Sequence, residues 1–330
     1  MSSPSAMSPT PGRVLLLNED EVRRLITIDL ALEAVEAGLR KLGLDEAQLI
    51  GRQRAVTDHA TLHVMAATAK SLGVMGAKVY ATGRKGAATF LVPLFDGKTS
   101  QLLSLIQADY LGQARTGAAS GIATKYMARS DATELGIFGS GKQAKTQVEA
   151  MCKVRKIRRV SVFSPNEERR KAFAVEMSER CQVEVVPVSR PEAAAQDMDI
   201  ICTATTSREP VLLGHWVPQG CHINAAGSNF LGKSEIDVAV LRKCTDVVVD
   251  SKDQARMEAG DFTQAIEDGA LHWSDVRELG QVIVGRFPVR KHAQDITLFE
   301  SLGIAVEDIA LAGRVYQKAI AEGVGRFIEW

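Results

Sequence analysis

Residues 134–151 carry the sequence ELGIFGSGKQAKTQVEAM, and this stretch decides the fold. It begins with a short apolar run that is typical of a buried strand. It ends with apolar residues spaced as on one face of a helix. Between them, residues 139–144 form a G-x-G-x-x-A turn, which lets a pyrophosphate approach backbone N–H groups at the start of a helix. The stretch therefore predicts a nicotinamide dinucleotide site whose contacts include Gly139, Ser140, Gly141, Gln143 and Ala144.

The composition limits the classes of function that the chain can have. The 330 residues suffice for two domains, and the 45% of apolar residues suffice for a large core. Lys plus Arg and Asp plus Glu number 40 each, and this balance argues against nucleic acid as a partner. No apolar run approaches the length of a membrane span. The dispersed cysteines and histidines lack metal-ligand spacing, so we expect reduced thiols, no metal site and a cytoplasmic protein.

The sequence on either side of the turn predicts an α/β protein with two kinds of sheet. Downstream, apolar strands at residues 159–163, 183–186, 199–203, 222–225 and 246–249 are separated by helices. This alternation predicts a doubly wound, Rossmann-type parallel sheet covered on both faces. Upstream, residues 53–107 alternate short Val-, Leu- and Thr-rich runs with turn signals, which indicates a mostly antiparallel α+β domain. Further helices are predicted at 29–44, 108–127, 166–177 and 307–322.

These elements predict a domain organisation in four segments. We expect a disordered lead-in over residues 1–13 and a substrate and dimerisation domain over 14–118. The dinucleotide-binding domain would follow over 119–300. Residues 301–330 would form a C-terminal helix that returns to the substrate domain.

The segment Ser164-Pro165-Asn166, at the end of the second strand of the nucleotide domain, bears on the choice between NAD and NADP. An acid at this position binds the ribose 2′-hydroxyl, whereas a neutral or basic residue admits a 2′-phosphate. No acid is present here, because the following two glutamates fall in the first turn of the next helix, which Asn166 would cap. Arg169 could reach a phosphate or could be solvated. The sequence favours NADP(H), with NAD(H) as the alternative, and with Ser164, Asn166 and Arg169 as contacts.

Three cations are candidates for binding a small acid. Arg54 lies in a predicted strand, Lys78 lies in another strand that is otherwise apolar, and Arg115 lies near the start of a helix. Guanidinium groups pair bidentately with carboxylates, and a lysine can also exchange a proton. An arginine on a strand is usually solvated, but an interior strand rarely tolerates an unpaired ammonium, which favours Lys78. His63 is either an acid or a core histidine, and its apolar surroundings favour the core.

Several segments together resemble the ornithine cyclodeaminase/mu-crystallin family. They are RTGA at 115–118, GSGKQA at 139–144, DIICTAT at 199–205, GSN at 227–229 with GKSE at 232–235, and DITLFESLG at 295–303. The resemblance implies a homodimer whose non-nucleotide domains pair through their sheets, with the nicotinamide in the cleft between domains. It also implies that Arg54, Lys78 and Arg115 hold a substrate carboxylate. Further cofactor contacts would come from the residues Arg115, Thr116, Thr203, Ala204, Thr205 and Asn229.

Two departures from the family bear on the substrate. Cyclodeaminases place an Asp where this chain has Asn229, and an amide is no general base and forms no salt bridge with an ammonium. They also carry a Glu where His63 aligns. Both changes argue against ornithine, while His63 could serve as a proton donor or orienter beside the catalytic Lys78.

We therefore expect an NAD(P)H-dependent oxidoreductase that reduces the C=N bond of a small cyclic imino acid. Pyrroline-2-carboxylate and piperideine-2-carboxylate, giving L-proline and L-pipecolate, are the leading substrates. Alternatives are reductive amination of a 2-oxo acid, as by an alanine dehydrogenase, and residual ornithine cyclodeamination. A non-catalytic NADPH-binding protein, as in the crystallin branch, is an alternative of another class.

Overall fold

The computed structural model describes residues 12–69, 72–83, 86 and 88–330. The chain divides into two compact units, unit 1 (Met1–Arg115 with Ile304–Trp330) and unit 2 (Thr116–Gly303). The predicted boundaries at 118/119 and 300/301 lie close to these divisions. Most of the predicted lead-in, residues 1–11, lies outside the described residues. Its last residue, Arg13, is not part of a disordered segment, because it begins a strand that pairs with residues near the C-terminus.

The elements follow in chain order. Unit 1 contains β1 (Arg13–Leu17), α1 (Glu19–Leu25), α2 (Ile28–Gly43), β2 (Ala47–Val56), β3 (Ala60–Ala69), β4 (Val74–Gly83), β5 (Ala88–Asp96), β6 (Leu102–Gln107) and the start of α3 (Asp109–Met127). Unit 2 continues with β7 (Glu134–Phe138), α4 (Lys142–Val154), β8 (Arg159–Phe163), α5 (Glu167–Cys181), β9 (Glu184–Pro187), β10 (Ile200–Thr203), β11 (His222–Ala225), α6 (Val238–Lys243), β12 (Asp246–Val249), α7 (Lys252–Glu258), α8 (Gly260–Glu267), β13 (Arg277–Glu278), α9 (Leu279–Ile283) and β14 (Thr297–Glu300). The chain then returns to unit 1 with α10 (Ala305–Glu322) and β15 (Arg326–Glu329).

Unit 1 is built on a seven-stranded sheet with the order β15-β1-β6-β5-β4-β3-β2. Strands β2 to β6 pair antiparallel with their sequence neighbours, which confirms the predicted antiparallel sheet. Helix α10 packs along α2 and across β2 to β5. Gly38 permits this close helix crossing, because a Cβ there would lie 3.1 Å from the Cβ of Ala310.

Unit 2 is a Rossmann-type parallel sheet of eight strands, in the order β13-β12-β14-β11-β10-β7-β8-β9. The chain runs outward from β7 through β8 to β9 and then crosses back to β10 on the other side of β7. The strand order therefore reverses between β7 and β10, and ligands of open parallel sheets bind at the carboxyl ends of strands at such a switch point. The core beneath it contains Phe138, Ile201, Ile223, Leu298 and Phe262.

Most predicted elements lie at or near their predicted positions. The strands β8, β11 and β12 have the predicted bounds, and α2, α3 and α10 match the predicted helices within two residues at each end. Helix α2 is capped by Thr27, whose Oγ1 accepts a hydrogen bond from the Leu30 N–H. Asn18 caps α1 in a reciprocal capping box with Glu21. Among the described helices, none is long and apolar enough to span a bilayer.

Candidate active site

The glycine turn of unit 2 has the geometry of a backbone anion site. Gly139 follows β7 at a φ of 109°, and a Cβ on it would collide with the carbonyl oxygen of Ala204. Gly141 is the N-cap of α4, and a glycine has no side chain that could cap the helix. A Cβ on Gly141 would meet no atom within 4 Å, so this side of the turn is open. A helix that starts with a glycine N-cap beneath an open turn fits the pyrophosphate of a dinucleotide.

The residues after β8 surround the position that is predicted to discriminate between the two dinucleotides. Ser140 donates a hydrogen bond from its Oγ to Ser164 Oγ at 3.0 Å, which ties the glycine turn to the end of β8. Asn166 caps α5, as predicted, because its Oδ1 accepts a bond from the Arg169 N–H at 2.8 Å. The side chain of Arg170 is buried and donates to the Ser164 carbonyl, so its role is structural. Arg169 is exposed.

The loops that follow β10 and β11 are joined by one buried carboxylate, Glu235. Its Oε1 accepts the Thr205 N–H at 2.6 Å, and its Oε2 accepts the Thr203 hydroxyl and the Gly227 N–H, both at 2.7 Å. Gly227 has to be a glycine here, because a Cβ would collide with the Glu235 carboxylate. The hydroxyl of Thr203 is thus hydrogen-bonded to Glu235. The same carboxylate fixes the backbone of the predicted cofactor segment at Thr205.

The remaining predicted cofactor contacts occupy varied positions in unit 2. Thr116 is buried, and its carbonyl accepts a bond from the Gln147 amide at 3.4 Å. Ala144 is buried in α4, and Gln143 is half-buried with an Oε1 that has no hydrogen-bond partner among the described residues. Asn229 is exposed on the loop after β11. Their roles toward the cofactor stay predictions.

In unit 1 one face of the sheet carries most of the predicted acid-binding residues. Arg54 lies opposite His63 in the register of β2 and β3, and Lys78 lies opposite Met65, two residues along β3. Since cross-strand partners and residues two apart share a face, Arg54, His63 and Lys78 project from the same side. Arg54 is exposed, whereas its neighbour Arg52 is buried.

Lys78 and Arg115 are bound by two consecutive carboxylates at the start of α10. Lys78 Nζ lies 2.8 Å from Asp308 Oδ1, and Arg115 Nε lies 3.3 Å from the same oxygen. Arg115 Nη1 donates to Glu307 Oε2 at 2.9 Å. All four side chains are buried. Gly112 of α3 makes room for the ammonium, because a Cβ there would lie 3.0 Å from Lys78 Nζ.

The position of Lys78 makes its charge sensitive to pH. Burial lowers the pKa of Lys78 from its usual value to about 8, Asp308 partly restores it, and Arg115 and Arg52 lower it again. The ammonium is therefore present at neutral pH and is lost under mildly alkaline conditions. A lysine of this kind can bind an anion at pH 7 and can exchange a proton close to neutrality.

His63 is a neutral, packed residue of the same face. Its ring stacks on Tyr80 with centroids 4.2 Å apart, and its Nε2 lies 3.0 Å from Thr82 Oγ1. Burial, followed by Arg54 and Arg52, lowers the pKa of His63 to about 4. At neutral pH the ring carries no charge, so it can orient a group but holds no imidazolium proton to give.

Sequence reasoning assigned no role to Glu235, Glu307, Asp308 or Arg52. A sequence signal existed for the α10 pair, since two adjacent acids precede an otherwise apolar helix face, and such acids need partners when they are buried. Asp308 lies 230 positions from Lys78, so no local pattern links the two. Glu235 falls within one of the segments that carry the family resemblance.

The fold and these sites define a class of protein, the nicotinamide-dinucleotide-dependent oxidoreductases that act on carbon–nitrogen bonds. Within that class, the chain belongs to the ornithine cyclodeaminase/mu-crystallin family, whose model matches residues 13–323.

Three similar proteins illustrate the relationship. The alanine dehydrogenase of Archaeoglobus fulgidus is 35% identical over 324 residues, covering 96% of this chain and 98% of that protein. The Δ1-pyrroline-2-carboxylate reductase of Thermococcus litoralis, solved with NADH and L-proline, has a TM-score of 0.90 at 33% identity, covering 95% of this chain and 99% of that one. An archaeal alanine dehydrogenase dimer with bound NAD has a TM-score of 0.90 at 34% identity, covering 96% and 99%.

Proposed function

We propose that the protein reduces the C=N bond of a small cyclic imino acid, pyrroline-2-carboxylate or piperideine-2-carboxylate, to L-proline or L-pipecolate. The observation that carries this proposal is the buried cluster of Lys78 and Arg115 with the carboxylates of Asp308 and Glu307. Buried cations interact with an anion more strongly than solvated ones, because water screens them less. The reductase from T. litoralis, solved with NADH and L-proline, supports this substrate class.

Each cation has a distinct part in the proposed reaction. Arg54 and Arg115 hold the substrate carboxylate, and Lys78 binds it while stabilising charge beside the C=N bond. A bound nicotinamide dinucleotide would supply a hydride to the imine carbon. Holding the acid in place makes this transfer effectively unimolecular, which lowers the barrier by several kcal/mol. The neutral ring of His63 orients the ligand from the same face of the sheet.

Asn229 and His63 argue against ornithine as the substrate. Ring closure on ornithine needs a group that accepts a proton from an amine, and neither an amide nor a histidine of pKa about 4 does so efficiently at pH 7. Reductive amination of pyruvate is the second candidate, because the alanine dehydrogenase of A. fulgidus is similar over nearly the whole chain. Incubation with pyruvate, ammonia and reduced coenzyme distinguishes it from imine reduction.

For the coenzyme, we propose a preference for NADPH over NADH. The support is the neutral pair Ser164 and Asn166 after β8, together with the exposed Arg169, since an acid is the usual means of selecting NADH. Two structural neighbours were solved with NADH or NAD, so NADH is the competing coenzyme. The measurement is kcat/KM for both coenzymes, in the wild type and in Arg169→Ser. We expect the substitution to weaken NADPH more than NADH.

The central test is turnover by Lys78→Ala. We expect the wild type to oxidise NAD(P)H with cyclic ketimines, and we expect the variant to lose that activity by at least roughly 100-fold, since it lacks a charge-assisted contact at the reacting group. Coenzyme affinity, measured by fluorescence titration, should stay unchanged because the predicted dinucleotide contacts other than Arg115 lie in unit 2. Wild-type protein that oxidises no coenzyme with either ketimine would contradict the proposal.

We further propose a cytoplasmic homodimer. The support for the compartment is the five free cysteines. The support for the dimer is the second face of the unit 1 sheet, on which Ile50, Leu62 and Val64 are exposed by 63%, 44% and 38%. Adjacent apolar side chains of this size usually mark a protein interface.

A further inference from the structure

The two carboxylate oxygens of Asp308 differ in their hydrogen bonding. Its Oδ1 contacts Lys78 Nζ at 2.8 Å and Arg115 Nε at 3.3 Å. Its Oδ2 is buried and has no hydrogen-bond partner among the described residues. The side chain as a whole is fully buried. A buried carboxylate oxygen without a donor destabilises the folded protein, so its presence needs an explanation.

We propose that Asp308 Oδ2 accepts a hydrogen bond from the nitrogen of the substrate, which makes Asp308 a catalytic residue. This inference rests on the proposed function. In a cyclic 2-carboxy imine, the carboxylate and the ring nitrogen branch from the same carbon. A ligand whose carboxylate contacts Lys78 therefore brings its nitrogen next to the partner of Lys78, which is Asp308.

The charges of the cluster agree with a ligand that carries both signs. Two cations, Lys78 and Arg115, face two carboxylates, Glu307 and Asp308, with Arg52 as a further buried cation nearby. A simple anion would use the cations alone. A protonated imino acid is a zwitterion, and it can present its carboxylate to the cations while its N–H faces Asp308.

The proposed contact also accounts for the electrons and protons of the reaction. A bound reduced coenzyme would supply the hydride for the new C–H bond, and the electron pair of the C=N bond would move onto the nitrogen. The N–H that Asp308 holds stays on the nitrogen throughout. A second proton from solvent then converts the amine to the ammonium of the product. Asp308 favours the protonated imine, which is the form that accepts a hydride most readily.

The test compares two ligands that differ at the nitrogen. L-Proline and cyclopentanecarboxylate share the ring size and the carboxylate, but the second has no nitrogen. Their dissociation constants are measured by calorimetry in the presence of saturating reduced coenzyme, so that no reaction occurs. We expect the wild type to prefer L-proline, and Asp308→Asn to weaken L-proline by roughly 10- to 100-fold, as for loss of a charge-assisted hydrogen bond. Cyclopentanecarboxylate should weaken by less than about 3-fold.

Glu307→Gln is the matched control, because it removes the same charge from the adjacent residue of α10. It should change the affinities of both ligands by the same factor, since Glu307 acts through Arg115. Equal losses of both ligands in Asp308→Asn would overturn the inference and leave Asp308 as a support for Lys78. A wild type that binds both ligands without preferring L-proline would overturn it even if the variant fails to fold. A wild type that binds neither ligand would overturn the proposed function as well.

Discussion

Lys78 combines burial with a charge that is lost close to physiological pH. Its pKa of about 8 lies below the usual lysine value because burial disfavours the ammonium more than Asp308 restores it. The ammonium is thus intact below pH 8 and disappears above it. Any anion that depends on this charge loses affinity as the pH rises through about 8.

This behaviour predicts a pH dependence of kcat/KM for the acid substrate. We expect kcat/KM to fall above about pH 8, by up to tenfold per pH unit, because the free enzyme loses its ammonium. Lys78→Arg should be less active but should lack this fall, since a guanidinium stays charged. The same alkaline fall in the Arg variant would assign the titration to another group or to the substrate.

His222 makes the stability of the fold depend on pH in the acid range. It is fully buried in β11, its Nδ1 lies 2.9 Å from Thr297 Oγ1, and burial, followed by Arg290, lowers its pKa to about 3. The unfolded chain binds a proton at this histidine below about pH 6.5, whereas the folded chain does not. The effect of His222 on the free energy of unfolding is therefore most favourable above about pH 6.5, and this free energy declines as the pH falls toward 3.

We expect the free energy of unfolding to depend less on pH in His222→Asn than in the wild type. Between pH 6.5 and 4.5 the free energy of unfolding should fall by about 2–3 kcal/mol more in the wild type than in the variant, since each pH unit below the unfolded pKa costs about 1.4 kcal/mol. Urea unfolding at three pH values measures it. His215→Asn is the control, because it makes the same substitution at an exposed histidine.

At the scale of elements, Glu235 organises loops rather than a helix or strand. It binds the segments after β10 and β11 through Thr203, Thr205 and Gly227. Those segments begin at the carboxyl edge of the sheet. The positions of the predicted coenzyme contacts Thr203 and Thr205 therefore depend on the Glu235 carboxylate.

Glu235→Gln should weaken coenzyme binding by roughly tenfold, because one amide oxygen replaces two acceptors and an N–H then faces a backbone donor. Fluorescence titration with NADPH and NADH measures the change. Asp237→Ala is the control for stability, since the Asp237 side chain bonds the N–H groups of Val240 and Gly214 rather than those of Thr205 and Gly227, and the loss of this α6 cap costs about 1 kcal/mol. If Asp237→Ala weakened the coenzyme as much as Glu235→Gln, the effect would be one of general stability.

At the scale of the whole molecule, the face of the unit 1 sheet that exposes Ile50, Leu62 and Val64 predicts a dimer interface. Val64→Asp places a charge among exposed apolar neighbours, and we expect it to convert a dimer into monomers in light scattering coupled to gel filtration. Val175→Asp is the control, because Val175 is 63% exposed on α5 of unit 2. A wild-type monomer, or a dimer that Val64→Asp leaves intact, would contradict the proposed interface.

How far the sequence predicts this molecule depends on the range of the interactions involved. Local signals sufficed for the glycine turn, for the Asn166 cap and for strands such as β11, because each depends on residues close in the chain. The short strands β1 and β15 were not predicted, since they gain their order from pairing with each other across the whole chain. The contact between Lys78 and Asp308 was not predicted for the same reason, because the two residues lie 230 positions apart in the chain.

A β-bulge gives another example of what periodicity misses. Ile50 pairs with Ala66 and lies on the same face as Leu62 and Val64. Arg54 pairs with His63 and lies on the other face, with Lys78, although both positions in β2 are even-numbered. The register shift between Ile50 and Gln53 inserts one residue and reverses the alternation. Simple alternation along β2 would have placed the apolar and the cationic residues on one side.

The division of unit 1 into residues before 116 and after 303 has a consequence for biosynthesis. A ribosome synthesises all of unit 2 before it makes Asp308, which completes the pairs of Lys78 and Arg115. Until helix α10 has been made, these two cations lack the carboxylates that they contact in the folded protein. The buried ion-pair cluster of unit 1 is therefore completed last, when the closing segment packs onto a sheet whose strands β2 to β6 were made about two hundred residues earlier.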